Sequence, residues 1–199
     1  MARRTPPKGF ESSGIELASI KTGTKWFRLY SSRYPDPLGF GFSPSRFSDP
    51  GVALPEKDRF GVIYFGSSLK VCFLERILRD IRNGRLGDVP IPYAELEQLM
   101  CAEIVTARPL NLVDLRGDNL VKMGVPTDAV RASSHRLGQK WSLAFWLHKQ
   151  RPHGILYPSR LNEEINLALY DVAAYLERGP FEYTAEAAAL IREFKLAIV

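Results

Sequence analysis

The distribution of apolar and polar positions predicts short strands and helices that follow no regular order. Strands are predicted where apolar residues alternate with polar ones or form a brief run between turn residues, at 24–30, 61–66, 101–106, 110–113, 154–157 and 165–170. Helices are predicted from apolar spacing and from capping residues at 68–83, 91–100, 118–123, 134–150 and 185–197. Because these elements show no regular βα repetition, we expect an α+β fold.

Two stretches lack this periodicity. Residues 1–23 are rich in Pro, Gly, Ser and Lys, and we predict a partly flexible N-terminal lead-in there. The remainder, residues 24–199, is then a single domain. Residues 31–60 are rich in proline, glycine and serine and predict a long irregular loop. A loop of this length inside a compact domain is usually either functional or disordered.

Composition narrows the class of protein. The chain has 199 residues, of which 45% are hydrophobic and 25% charged, and these are ordinary values for a globular protein. The chain has only two cysteines, Cys72 and Cys101, and this number excludes a disulfide scaffold. Both lie among apolar neighbours, which indicates reduced, inert thiols. No apolar run reaches the roughly 18 residues of a membrane span, and no apolar segment follows the N-terminal arginines. We therefore expect a cytoplasmic protein without a membrane partner; export as an effector without a cleavable signal stays open.

Charge favours a small anionic ligand. The net charge is +5, and the basic excess lies in residues 1–160, whereas residues 161–199 carry three basic and seven acidic groups. No block of five like charges occurs, so no direct nucleic-acid binding is expected. Dispersed arginines suit a ligand such as a phosphate ester. An ordinary solvated surface explains the charge equally well.

Several well-known signatures are absent from the sequence. The stretch that begins at Gly39 lacks the last glycine of a dinucleotide-binding fingerprint and does not open a helix. There is no phosphate-binding P-loop and no G-x-S-x-G elbow. The histidines His135, His148 and His153 lack metal-ligand spacing, so we expect no metal site. His148 lies on an apolar helical face and is interpreted as a core histidine.

A few polar residues stand at the edges of the predicted elements. Arg28 lies within an aromatic strand and needs an anionic partner, either a ligand or a structural salt bridge. Arg46 lies in the long loop and Tyr64 within a strand, where solvation and packing are the simpler explanations. Glu75 borders the apolar face of its helix, where an ion pair with Arg79 is the alternative to a functional role.

The segments that hold these residues resemble the motifs of the RES domain family. Ser159, which follows a strand and a proline, belongs to the same set, although an ordinary turn also explains it. The resemblance covers most of the chain, from about Thr24 to Tyr170. The matching segments are WFRLY at 26–30, SRF at 45–47, VIYFGSSLKVCFLE at 62–75, GILYPSR at 154–160 and INLALYD at 165–171. The loop GFGFSPSRFSDPG at 39–51 departs from the more compact Gly-Arg-Phe-Asn pattern of many members.

The resemblance implies a bacterial toxin of a toxin–antitoxin pair. The implied fold is similar to ADP-ribosyltransferase toxins, with a split, twisted β-sheet and flanking helices around an NAD⁺ cleft. NAD⁺ is then the substrate, with no further cofactor. The implied catalytic residues are Glu75, Arg28 and Tyr64, and the implied NAD⁺-binding residues are Arg28, Arg46, Tyr64 and Ser159. The implied partner is a helical, DNA-binding antitoxin whose tail blocks the cleft.

The chemistry of NAD⁺ cleavage is compatible with a single carboxylate. Breaking the nicotinamide–ribose bond leaves positive charge on the ribose, while nicotinamide leaves as a neutral molecule. No general acid is therefore needed, unlike in ordinary glycoside hydrolysis. We expect NAD⁺ glycohydrolase or phosphorylase activity that depletes cellular NAD⁺. A mono-ADP-ribosyltransferase that modifies a host protein is the alternative, and a catalytically inactive nucleotide-binding or interaction module is a second one.

Overall fold

The computed structural model describes residues 4–34, 36–79, 81, 84–170, 175–179 and 184–199. The strands are β1 (Leu17–Ile20), β2 (Lys25–Ser31), β3 (Val62–Gly66), β4 (Val89–Ile91), β5 (Leu99–Thr106), β6 (Leu110–Asp114), β7 (Gly154–Pro158), β8 (Ile165–Tyr170), β9 (Leu176–Gly179) and β10 (Leu196–Ile198). The helices are α1 (Leu69–Phe73), which continues as a π-helical turn over Leu74–Leu78, α2 (Tyr93–Glu97), α3 (Asn119–Lys122), α4 (Asp128–Arg131), α5 (Arg136–Trp146) and α6 (Thr184–Glu193). Short 3-10 turns occupy Phe10–Ser12 and Glu56–Asp58.

One large sheet organises the molecule. Its strand order is β1-β6-β7-β8-β3-β2-β5-β9, and β4 pairs separately with β10. All pairs in the large sheet are antiparallel except β6 with β7. β3 pairs with β8 along its whole length, but β2 and β3 pair only at Phe27 and Gly66. The sheet is therefore split between β3 and β2, and the predicted α+β fold with a split sheet is confirmed.

The two faces of this sheet are covered differently. Residues that alternate along each strand point to opposite faces, so Ile63 and Phe65 of β3 lie on one face and Val62 and Tyr64 on the other. The first face carries one apolar cluster that includes Trp26 of β2. On the second face, α5 covers the half that holds β3 and β6–β8, whereas α1 and α6 cover the half that holds β2 and β5. The split therefore lies between two helical layers.

The N-terminal segment differs from the predicted lead-in. β1 pairs antiparallel with β6 over four residues, and Phe10 is buried with its ring edge-on to Trp141 at 5.0 Å. Residues before 24 thus contribute both a strand and a core side chain. β1 was not predicted from sequence, since none of its four residues is fully buried; they alternate between exposed and half-buried positions.

The helical predictions were less accurate than the strand predictions. The helix predicted over 91–100 is limited to α2, because β4 and β5 take up the residues on either side of it. The helix predicted to reach 197 ends at Glu193, where Lys195 adopts a φ of 50° and the chain turns into β10. The helix predicted over 134–150 spans only Arg136–Trp146. Its neighbour α4 and the strand β9 were not predicted. The predicted helix end near Asn83 lies outside the described residues.

The long loop, His148 and the two cysteines agree with their sequence interpretations. The loop over 31–60 is mostly irregular, yet Phe47 is fully buried, so this loop is packed onto the domain. His148 is buried between the carbonyl oxygen of Ser13 and the backbone N–H of Gln150, as a core histidine should be. Both cysteines are free and buried, and burial raises the pKa of each thiol to about 12. No helix within the described residues is long and apolar enough to cross a membrane.

Candidate functional site

A cavity of about 310 Å³ opens at the split in the sheet. This volume lies at the lower end of the range for small-molecule sites. The walls come from β2, β3, β7, β8, the helix that follows β3, the loop before β3 and the start of α5. Among the polar side chains that line the cavity are Arg46, Tyr64, Glu75, Arg79, Arg160 and Asn166.

The helix after β3 changes its winding where Glu75 occurs. Ser68 caps its start, since its hydroxyl oxygen accepts a hydrogen bond from the backbone N–H of Val71 at 3.1 Å. From Leu74 to Leu78 the helix is a π-helix, which holds more residues in each turn than an α-helix. Leu74 and Leu78 are buried while Glu75 is half-buried and lines the cavity. Such π-helical turns are frequent at functional sites.

Two donors fix the Glu75 carboxylate. Ser159 Oγ donates to Glu75 Oε1 at 2.9 Å, and Asn166 Nδ2 donates to the same oxygen at 3.3 Å. Ser159 directly follows β7, and Asn166 lies in the paired strand β8, opposite Tyr157. Glu75 Oε2 receives no hydrogen bond from the part of the chain that the structure describes. The second oxygen is therefore available to a ligand in the cavity.

Several arginines line the same cavity as Glu75, which is the one carboxylate among its described lining residues. Arg46 Nη1 donates to the Ala132 carbonyl oxygen at 2.7 Å, which leaves its other N–H groups for a ligand. Burial lowers the pKa of Arg46, and the nearby positive charge of Arg160 lowers it further. Arg79 Nη2 lies 3.0 Å from His135 Nε2, and Arg76 reaches the exposed rim of the cavity. Among the described residues that line the cavity, four guanidinium groups accompany one carboxylate, a balance of charge that suits an anion.

Two tyrosines, Tyr64 and Tyr157, also line the cavity. Burial raises the pKa of both Tyr64 and Tyr157, so both phenols are neutral at physiological pH. The Tyr64 hydroxyl accepts a hydrogen bond from the backbone N–H of Phe47 at 2.9 Å and lies 2.9 Å from Ser45 Oγ. Tyr157 packs against the edge of the Phe47 ring at 4.9 Å. The tyrosines thus link the sheet to the loop that carries Arg46.

Arg28 is the predicted site residue that the structure places elsewhere. Its Nη1 donates to the carbonyl oxygens of Pro37 and Gly39 at 2.6 and 2.9 Å, and its guanidinium lies 5.6 Å from the centre of the Tyr30 ring. Alternation along β2 puts Arg28 on the face opposite Leu29, which lines the cavity. The structure brings Arg46, Tyr64, Glu75 and Ser159 together and leaves Arg28 outside the group.

Comparison with known proteins assigns the chain to a protein family. The family model described as the RES domain matches residues 19–186, which is most of the chain. The chain belongs to the RES domain family. The curated protein named probable toxin y4kH, from Sinorhizobium fredii, is 44% identical over 127 residues. That match spans 61% of this chain and 100% of the relative.

A solved structure supports the fold of this RES domain. A chain of the crystal structure of the M. tuberculosis MbcT–MbcA toxin–antitoxin complex superposes with a TM-score of 0.62. The superposition covers 89% of this chain and 91% of that chain, at 17% sequence identity. At this identity the likeness concerns the fold alone.

Several residues of the RES domain cavity were not predicted from sequence. Asn166 is the polar member of an otherwise apolar strand, and Arg160 directly follows Ser159, so both had a weak signal. Arg79 was considered only as an ion-pair partner, and His135 and Tyr157 had no signal that set them apart. No group of three or more His, Cys, Asp or Glu side chains in the described ranges is placed to hold a metal ion.

Proposed function

We propose that this RES domain protein is the toxin of a toxin–antitoxin pair and that it cleaves NAD⁺ between nicotinamide and ribose. The toxin role is supported by the relative named a probable toxin and by the fold shared with a chain of a toxin–antitoxin complex. The observation that carries the proposed reaction is the Glu75 carboxylate, which is held through one oxygen, receives no hydrogen bond at the other from the described residues, and shares its cavity with several arginines.

The proposed chemistry follows from the charges in the cavity. When the bond between ribose C1′ and the nicotinamide nitrogen breaks, the bonding electrons stay with the nitrogen and nicotinamide becomes neutral. Positive charge develops on C1′, and the nearby Glu75 carboxylate stabilises this charge. The free oxygen of Glu75 accepts a hydrogen bond from a ribose hydroxyl. Water or phosphate then forms the new bond to C1′; when water attacks, the proton that it loses passes to the solvent. The products are nicotinamide and either ADP-ribose or its phosphorylated form.

The arginines have a separate task in this proposal. The pyrophosphate of NAD⁺ carries two negative charges, and a guanidinium can bind such oxygens through two parallel N–H bonds. Arg46, Arg79 and Arg160 line the same cavity as Glu75 and supply these donors. Tyr64 and Tyr157 offer neutral aromatic surface beside them. Binding of the phosphates and stabilisation of C1′ are thus assigned to different parts of one cavity.

The test is an NAD⁺ consumption assay with purified protein, in which products are resolved with and without phosphate. We expect Glu75→Gln to reduce turnover by about 10²- to 10³-fold, because it removes the charge while keeping an oxygen that accepts from Ser159 and Asn166. Glu163→Gln, the same change at an exposed position, should leave turnover unaltered. Full turnover in Glu75→Gln would exclude Glu75 as the essential carboxylate. Labelling of a protein with ADP-ribose, with NAD⁺ consumed only in proportion to the label, would favour the transferase alternative.

The toxin role has its own test in cells. Induced expression of the chain alone should arrest bacterial growth, and Glu75→Gln should relieve the arrest at equal protein level. We propose that a separate antitoxin chain neutralises the protein by binding it. Co-expression with the product of the neighbouring gene should restore growth and yield a complex on purification. Growth arrest that persists in Glu75→Gln would separate toxicity from the cavity.

A further inference from the structure

We propose that Tyr64 is a positioning residue whose hydroxyl holds Arg46 in place for the phosphates of the ligand. The inference rests on the proposed function only in that it takes the ligand to carry a pyrophosphate. The family resemblance implies that Tyr64 acts on the substrate itself, as a catalytic and NAD⁺-binding residue. The contacts of its hydroxyl point to the loop instead.

The Tyr64 hydroxyl contacts both neighbours of Arg46 in the chain. It accepts from the backbone N–H of Phe47 and shares a hydrogen bond with the hydroxyl of Ser45, each at 2.9 Å. The first bond holds the backbone at Phe47 and the second holds the side chain of Ser45, so the residues on both sides of Arg46 are attached to Tyr64. Since Tyr64 lies in the middle of β3, Arg46 is thereby tied to the central strand of the sheet.

The same strand is connected to the carboxylate. β3 pairs with β8 along its whole length, with Gly66 opposite Asn166, and Asn166 donates to Glu75. The hydroxyl of Tyr64 therefore relates the position of Arg46 to that of Glu75 through a single pair of strands. A shift of the loop would change the distance between the two groups that the proposed reaction requires.

Helix α5 holds the other side of the loop. Gln139 Nε2 donates to the carbonyl oxygen of Ser45 at 3.0 Å, and Ser142 Oγ donates to that of Phe47 at 2.6 Å. A Cβ at Gly138 would lie 2.6 Å from the carbonyl oxygen of Arg46, so the loop backbone packs directly on the helix. The segment Ser45–Phe47 is thus held between α5 and β3, and Tyr64 provides the contact on the sheet side.

The decisive variant is Tyr64→Phe, which removes the hydroxyl and keeps the ring. Inorganic pyrophosphate and ADP, titrated calorimetrically into the full chain, should bind about tenfold more weakly, the scale of one hydrogen bond. Amide hydrogen exchange at Phe47 should accelerate, because its N–H loses its acceptor. In the NAD⁺ assay KM should rise while kcat stays within about a factor of two.

Two further variants control this experiment. Tyr30→Phe also removes a buried tyrosine hydroxyl, one with no hydrogen-bond partner among the described residues, and it should change none of these quantities. Ser45→Ala should weaken pyrophosphate binding in the same direction as Tyr64→Phe. Both substitutions remove the same contact between the two hydroxyls. The loss of pyrophosphate affinity in the double variant should therefore be smaller than the product of the two single losses.

Each outcome decides the proposal. Unchanged pyrophosphate affinity in Tyr64→Phe would overturn it, and so would a loss of kcat with affinity retained, since that result would place the hydroxyl at the reacting centre. Additive effects of Ser45→Ala and Tyr64→Phe would also contradict it. If the wild-type chain consumes no NAD⁺, the proposed function fails, but pyrophosphate binding and Phe47 exchange still test the role of Tyr64. If Tyr64→Phe does not fold, Ser45→Ala carries the same test.

Discussion

Arg28 and Arg46 are two arginines that burial affects alike but whose neighbours differ. Both are largely buried, and burial lowers the pKa of each guanidinium. Arg28 donates to two carbonyl oxygens of the loop that follows β2 and is attracted by Asp36. Arg46 donates to one carbonyl oxygen, and repulsion from Arg160 and Arg79 acts on it together with the attraction of Glu75.

The difference shows how to separate a structural arginine from a binding one. A buried cation that stabilises the fold is surrounded by acceptors, because its desolvation must be offset inside the protein. A buried cation placed among other cations lacks that compensation and gains it when an anion binds. The Arg46 side of the molecule is thus arranged for a ligand, whereas the Arg28 side is complete without one.

The largest effect is expected when Arg46 is removed. Arg46→Ala should weaken NAD⁺ and pyrophosphate binding by about 100-fold, the scale of one or two charged hydrogen bonds. Its unfolding free energy should change little, because the loss of one bond to Ala132 is offset by relief of the repulsion from Arg79 and Arg160. Titration calorimetry and urea denaturation measure the two quantities. A large loss of stability with normal binding would make Arg46 structural and remove the contrast.

Arg28 should respond in the opposite way. Arg28→Met keeps much of the side-chain volume but leaves the carbonyl oxygens of Pro37 and Gly39 without their donor. We expect the unfolding free energy to fall by about 1–3 kcal/mol, with NAD⁺ binding and turnover unaltered in the folded fraction. Urea denaturation beside the NAD⁺ assay tests this. Weakened NAD⁺ binding at full stability would restore Arg28 to the site, as the family resemblance implies.

The bounds of the predicted strands were more accurate than those of the predicted helices. Apolar alternation and turn residues located β2, β3, β7 and β8, because strand periodicity is visible over a few residues. The helices near the C-terminus were mispredicted because β10 depends on pairing with β4, more than a hundred residues away. Local propensity contains no information about such a partner.

The candidate site was predicted in part for a related reason. The family resemblance selected Arg46, Tyr64, Glu75 and Ser159, and in the structure the first three line one cavity while Ser159 donates to Glu75. Alternation along β2 already put Arg28 beside Trp26 and Tyr30, but which face of the strand meets the cavity depends on where α1 packs. The π-helical turn at Glu75 and the approach of Asn166 to it arise only in the folded chain.

The smallest expected effect tests whether the difference between the two arginines depends on the loop backbone. A Cβ at Gly138 would lie 2.6 Å from the carbonyl oxygen of Arg46 and 2.7 Å from that of Ala129, so Gly138→Ala must displace one of them. We expect NAD⁺ and pyrophosphate binding to weaken by roughly three- to tenfold, with a loss of stability of about 1–3 kcal/mol.

Gly154→Ala is the matched control for this variant. Its Cβ would lie 2.2 Å from the carbonyl oxygen of Ala168, so it disturbs the β7–β8 pair rather than the loop. It should lower stability without weakening pyrophosphate binding in the folded fraction. If both glycine variants weaken binding equally for the same loss of stability, binding follows global stability, and the placement of Arg46 by α5 has no separate role. If only Gly138→Ala weakens it, the position of the Arg46 backbone determines how well the cavity receives an anion.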